Sequence, residues 1–178
     1  MIVSRIRSFF SRNLLLGLKT SPLQVPLISF LPFPVFGICA LGIGFSSGLF
    51  DYGLVEGKIV FFLPFTLLVF PALVEEVFFR GLLIPNDAKL RGAKRISIYL
   101  LVSTALFVLW HPFVALMINP AARTFFLNPC FLGITALLGL TCGISYLLSR
   151  SLWIPIIIHW LTVLVWVIFL GGRNMILD

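Results

Sequence analysis

Five long apolar runs constrain this chain more than any other feature. They cover residues 25–49, 59–84, 96–118, 125–148 and 152–170. Each is close to the ~20 residues that a helix needs to cross a hydrocarbon core. Lipid offers the backbone no hydrogen-bond partners, so a spanning segment must satisfy its own N–H and C=O groups as a helix. The expected fold is therefore all-α, a polytopic membrane helical bundle of about five transmembrane helices. Only 11% of the residues are charged, against about 25% in a soluble domain. That excludes an ordinary soluble core. The 178 residues suit one transmembrane domain over 25–178, preceded by a basic amphipathic arm over 1–24.

Charge placement orients the bundle. The arm carries Arg5, Arg7, Arg12 and Lys19. The 86–95 loop carries Lys89, Arg91, Lys94 and Arg95, and Arg150 follows the fourth run. The other side has Lys58, Arg123 and Arg173 beside Asp51, Glu56 and Asp178. That is nine cations against three, with Arg80 the last of the thirteen. The positive-inside rule puts the N-terminus and the 86–95 loop in the cytoplasm. The arm, apolar as well as basic, suits a membrane surface. Its Arg and Ser content also permits an organellar targeting segment. The net charge of +7 is spread between apolar spans and forms no basic face, so a nucleic-acid partner is not expected. The partners implied are the lipid bilayer and whatever the membrane delivers.

Smaller signals are structural. Cys130 and Cys142 share one predicted helix about 18 Å apart along its axis, too far to bridge. Cys39 is alone on another, and all three read as small core residues. Gly139 and Gly143 form a GxxxG pattern, which favours close helix packing.

The chemistry sits in the few ionisable residues inside these runs. Glu75, Glu76 and Arg80 lie in the second, His111 in the third and His159 in the fifth. A charge at mid-bilayer costs roughly 2.5 kcal/mol upward, so such residues mark function by default. Counted from the cytoplasmic ends, Glu75, His159 and His111 are about 15, 12 and 22 Å deep. They can meet in one site, expected in the cytoplasmic half. Glu76 and Arg80 are spaced i,i+4 with the acid first, the favourable order for a helical ion pair. Glu75 is about 100° further round and is expected to face both histidines. A buried carboxylate beside an imidazole can hold and deprotonate water. Pro71, Pro112 and Pro155 lie near these residues, and Pro112 removes a backbone bond to Val108, favouring a kink.

The motifs resemble the CPBP intramembrane proteases, a family that includes the CAAX-processing endopeptidases and Abi-type proteins. Glu75-Glu76-x-x-x-Arg80 matches its EExxxR motif, Phe107-x-x-x-His111 its FxxxH motif, and His159 the histidine of its third motif. The resemblance covers roughly residues 59–170. It implies an intramembrane endopeptidase acting on a membrane-associated peptide or protein, with the site open to the cytoplasmic half of the bilayer. Glu75 would be the base that activates water, His111 would help hold that water, and His159 would stabilise the oxyanion. Glu76 and Arg80 would support the site. The family often carries Asn four residues after that last histidine as a second oxyanion donor. Here the position is Val163, which cannot donate, and Thr162 is adjacent on another face.

Hydrolysis by Glu75 and water requires no metal. Glu75, His111 and His159 would equally make a three-ligand set for Zn²⁺. Val163 motivates an alternative, a catalytically impaired membrane binding or scaffold protein of the same fold. Buried acids and histidines also serve proton-coupled transport, but five spans without a repeat argue against it.

Overall fold

The computed structural model of the chain describes residues 12–172. Arg5, Arg7, Arg173 and Asp178 lie outside the described residues. Every apolar run folds as helix, and no named strand occurs among the described residues. Helix α1 covers 12–19. Two 3₁₀ turns, Pro22–Gln24 and Leu27–Phe30, lead into α2, Pro32–Ser46. Pro32 and Pro34 fall in the first turn of α2, where a missing N–H costs no intrahelical bond. Helix α3 is composite, running through Leu63–Leu67, Leu68–Leu73, Val74–Glu76 and Val77–Leu82. Helix α4 is Ala93–Met117, α5 is Pro129–Ser149 and α6 is Trp153–Phe169. The Leu27–Ser46 segment, α4 and α5 are long and apolar enough to cross a membrane. Helix α6, at 17 residues, is shorter but equally apolar.

Helix α3 breaks where the site lies. Phe70 is extended (φ −135°, ψ 122°) and the Phe70–Pro71 peptide is cis. The extended backbone at Phe70 interrupts the helix at this point. The segment Val77–Leu82, directly after Glu76, has the wide π-type turn, a local form common at functional sites. Pro112, expected to kink its helix, lies inside an unbroken α4. Pro155 falls in the first turn of α6, where its missing donor has no partner to lose.

Helix α5 is the centre of the bundle. Of its spanning window 61% is buried, against 22% for the segment ending in α2 and 28% for α4. Asn128 caps its start by accepting from the N–H groups of Cys130 and Phe131 at 2.8 and 3.4 Å. The GxxxG pattern lets α4 approach it. A Cβ at Gly139 would meet Thr104 at 3.0 Å and Phe107 at 3.2 Å, and one at Gly143 would meet Leu100 at 2.7 Å. Cys142 is buried in this helix, whereas Cys39 and Cys130 are exposed, unlike the core thiols expected. On the outside of a membrane bundle a thiol faces lipid as readily as protein.

The described part of the arm is bonded into one end of the bundle rather than lying free on a surface. The Asn13 amide donates to the carbonyls of Gly81 and Ile84 at 2.8 and 3.0 Å, and its oxygen accepts from the Asn86 N–H at 2.6 Å. Leu152 N–H donates to Gly17 at 2.9 Å, the Ser151 hydroxyl to Thr20 at 2.6 Å and the Trp153 indole to Leu18 at 2.9 Å. These bonds tie the end of α3 and the start of α6 to α1. At the other end, Gly53 N–H donates to Phe169 at 3.2 Å and Val55 N–H to Ile168 at 3.1 Å, pinning the 50–57 loop along the end of α6.

Candidate active site

Helices α3, α4, α5 and α6 meet around a buried polar knot. Glu76 Oε1 is its centre. It accepts from Arg80 Nη1 at 3.0 Å and from His159 Nδ1 at 2.9 Å. The i,i+4 spacing on α3 supplies the first contact, as expected; the second spans 83 residues of sequence. Arg80 Nη2 donates to the Gly139 carbonyl at 3.0 Å. Its guanidinium also lies 4.4 Å from the centroid of the Phe107 ring, a cation–π contact. Arg80 and Glu76 are fully buried and His159 nearly so. Charges this deep are tolerable only when paired and hydrogen-bonded.

Phe107 is the hub of the packing. Its buried ring meets Phe79, His111 and His159 edge-to-face at 5.3, 5.2 and 5.6 Å. It thus carries the guanidinium on one side and orients two imidazoles with its others. This gives the aromatic residue of the FxxxH motif a physical task.

Glu75 is differently placed. Its Oε1 accepts from the Trp110 indole N–H at 3.0 Å. Its Oε2 is buried and has no protein hydrogen-bond partner. That oxygen lies 4.0 Å from His159 Nε2. Because the Glu76 carboxylate takes the Nδ1–H of His159, the Nε2 edge of the ring is turned to Glu75. His111 stands apart. Its Nδ1 is 2.9 Å from the Phe107 carbonyl, which can only accept, so Nδ1 carries a proton, and in the neutral ring Nε2 is then an acceptor. The ring is enclosed by Phe107, Phe126 and Phe131.

Glu75, His111 and His159 line one cavity, as expected for a shared site, but the α4 side chain hydrogen-bonded to Glu75 is Trp110, one position before His111, and His159 is shared between the two acids. The rotation of α4 about its own axis sets which residue meets α3, and no pattern in the sequence specifies it. Glu75, His111 and His159 are candidate ligands only if a metal takes part. Among the described residues no three of His, Cys, Asp and Glu are grouped to hold a metal ion.

A cavity of about 400 Å³ opens beside this cluster. Glu75, His111 and His159 line it, with Leu67, Phe70 and Pro71 of α3, Val114 of α4, Ile134 and Thr135 of α5, and Thr162, Val163 and Trp166 of α6. Phe33, Phe36, Gly37, Ala40 and Leu41 of α2 complete the wall, so the cavity is lined by the starts of α2, α3 and α5 and the ends of α4 and α6. The Thr162 and Thr135 hydroxyls both donate within their own helices, to Ile158 at 2.8 Å and Phe131 at 2.9 Å.

A carboxylate oxygen and an imidazole nitrogen facing one another across a small gap, walled by apolar side chains in a membrane-type bundle, form the equipment of an intramembrane hydrolase. The family models are more particular. That of the type II CAAX prenyl endopeptidases, Rce1-like, matches residues 57–165, more than half of the sequence. The chain belongs to this family of membrane peptidases. No curated protein and no solved structure matches it.

Proposed function

We propose that the protein is a multi-pass intramembrane endopeptidase that hydrolyses a peptide bond of a membrane-associated substrate with a water activated by Glu75. The observation that carries this reading is the two-sided use of His159. With Nδ1 committed to Glu76 at 2.9 Å, Nε2 lies 4.0 Å from the unpartnered Oε2 of Glu75. That distance is too long for a direct hydrogen bond and leaves room for one water oxygen to reach both groups.

Glu75 Oε2 takes a proton from this water while its oxygen attacks the scissile carbonyl carbon. His111 Nε2 accepts the water's other hydrogen. The carbonyl electron pair moves onto oxygen, and the oxyanion is met by the Nε2–H of His159 in its imidazolium form, whose charge the Glu76 carboxylate balances. Glu75 then passes its proton to the leaving nitrogen, the C–N bond breaks, and a carboxylate and an amine leave. Arg80 and Glu76 hold the imidazole in place, and neither touches substrate.

The test is cleavage of a co-expressed membrane substrate. Glu75→Ala is expected to abolish it at an unchanged yield of folded protein; full cleavage by that variant removes the mechanism. A second reading, a membrane binding protein that no longer turns over, is favoured by Val163, whose apolar side chain lines the cavity where a second oxyanion donor is expected. Val163→Asn separates the two. A large gain in hydrolysis marks a slow enzyme, and no turnover in either form marks a binding protein.

A further inference from the structure

We propose that Trp110 is a positioning residue that holds the Glu75 carboxylate off His159, an inference that rests on the reading of Glu75 as the base. The indole N–H donates to Glu75 Oε1 at 3.0 Å. Of the four tryptophans, Trp153 and Trp160 donate to backbone carbonyls, those of Leu18 and Pro64. The Trp166 N–H has no partner. Trp110 is thus the one indole bonded to a carboxylate. Phe113, one turn on, stacks against its ring at 5.5 Å and 26° and restrains the ring plane.

The cavity offers Glu75 little else. The hydroxyls of Thr135 and Thr162 are spent on their own helices, and His111 directs its Nδ1–H to Phe107. A carboxylate in such surroundings, free to rotate, would close onto the nearest donor, His159 Nε2. The resulting direct pair would occupy the space in which water must sit. With Oε1 tethered to the indole, rotation about the last side-chain bond is fixed and Oε2 stays 4.0 Å from the imidazole. The tether also leaves the reacting oxygen free, since the indole takes Oε1 alone. Helix α4 therefore contributes to the base from position 110, beside the histidine at 111 that faces its own helix.

Replacing Trp110 with 3-benzothienylalanine exchanges the N–H for sulfur and keeps the shape. In full-length protein in nanodiscs, with a fluorogenic membrane peptide as substrate, kcat is expected to fall about ten- to a hundredfold, the weight of a hydrogen bond to a charged group. KM is expected to stay unchanged. Wild-type kcat in this variant overturns the inference, as does a raised KM at unchanged kcat, which would make Trp110 a wall of the cavity. A readout independent of turnover is the ¹⁵N-indole spectrum. The resonance absent from Trp110→Phe is expected to move in Glu75→Ala, and its failure to move overturns the bond itself. Glu75→Ala on the same substrate tells the two failures apart. If that variant is dead while the benzothienylalanine protein turns over normally, the positioning role alone falls. If it is fully active, the base falls and the positioning role with it.

Discussion

The two ends of this bundle spend their polar groups in opposite ways. At the basic end, Asn13 satisfies two carbonyls at the end of α3 and takes the N–H of Asn86, while Ser151 and Trp153 bind the arm. Small residues permit this crowding: a Cβ at Gly81 would strike Leu14 at 2.6 Å, and one at Gly17 would strike Leu152 at 2.9 Å. At the cavity end apolar side chains dominate, and Glu75 Oε2 and the Trp166 N–H have no partner. Two consecutive glutamates lie between these regions. Each has one oxygen engaged and one without a partner: Glu76 spends its bonded oxygen on Arg80 and His159 inside the knot, and Glu75 spends its own on Trp110 at the cavity wall. The bonds at the basic end tie to α1 the two helices that carry Glu75 and His159.

The contrast makes the two glutamates the first place to press. Glu75→Ala should lower the cleavage rate by up to ~10⁴-fold, the range of a positioned general base, while its detergent melting temperature stays near wild type. A comparable melting loss would make Glu75 structural like its neighbour. Arg80→Met should do the reverse and destabilise the fold by about 3–5 kcal/mol, because it breaks a fully buried ion pair and leaves the Glu76 carboxylate with His159 as its one remaining partner. Denaturant unfolding in mixed micelles measures this, and an unshifted midpoint would mean the knot is not a stabilising unit.

Val163→Asn adds a donor to the donor-poor end. A single oxyanion donor is worth about 10²- to 10³-fold in rate, so the gain in kcat should approach that range with stability little changed. Asn13→Ala removes three hydrogen bonds from the basic end and should cost about 1–3 kcal/mol for the groups left unpaired. Hydrogen exchange should localise the loosening to 81–86; uniform exchange across the bundle would count against a local clamp. The smallest effect belongs to Lys94→Gln with Arg95→Gln. Both side chains are exposed, and stability should stay within about 0.5 kcal/mol. A larger loss would place part of the fold's stability in surface charge.

Much of the framework could be read in advance. The apolar runs became helices in the places expected, and Glu76 and Arg80 met because i,i+4 spacing on one helix leaves them no other neighbour so close. The glycines at 139 and 143 did bring two helices together. Other features escaped. The bond from Trp110 to Glu75 joins residues 35 apart, and that from Asn13 to Gly81 joins residues 68 apart. Nothing in the local pattern distinguishes Trp110 from the other tryptophans, or Asn13 from any polar residue of an arm. Among the prolines the difference was one of context: Pro71 sits at a break in α3, while Pro112 is carried inside a continuous helix.

Hydropathy pointed to an all-helical membrane bundle, because a continuous apolar run of about 20 residues can satisfy its own backbone hydrogen bonds in lipid as a helix. The scarcity of ionisable residues within it singled out the glutamates, Arg80 and the histidines. How these divide was a matter of helix rotation and tilt, which depend on the shape of every packed side chain and carry no periodic signature. Those degrees of freedom put His159 between two acids and brought the Trp110 indole onto Glu75.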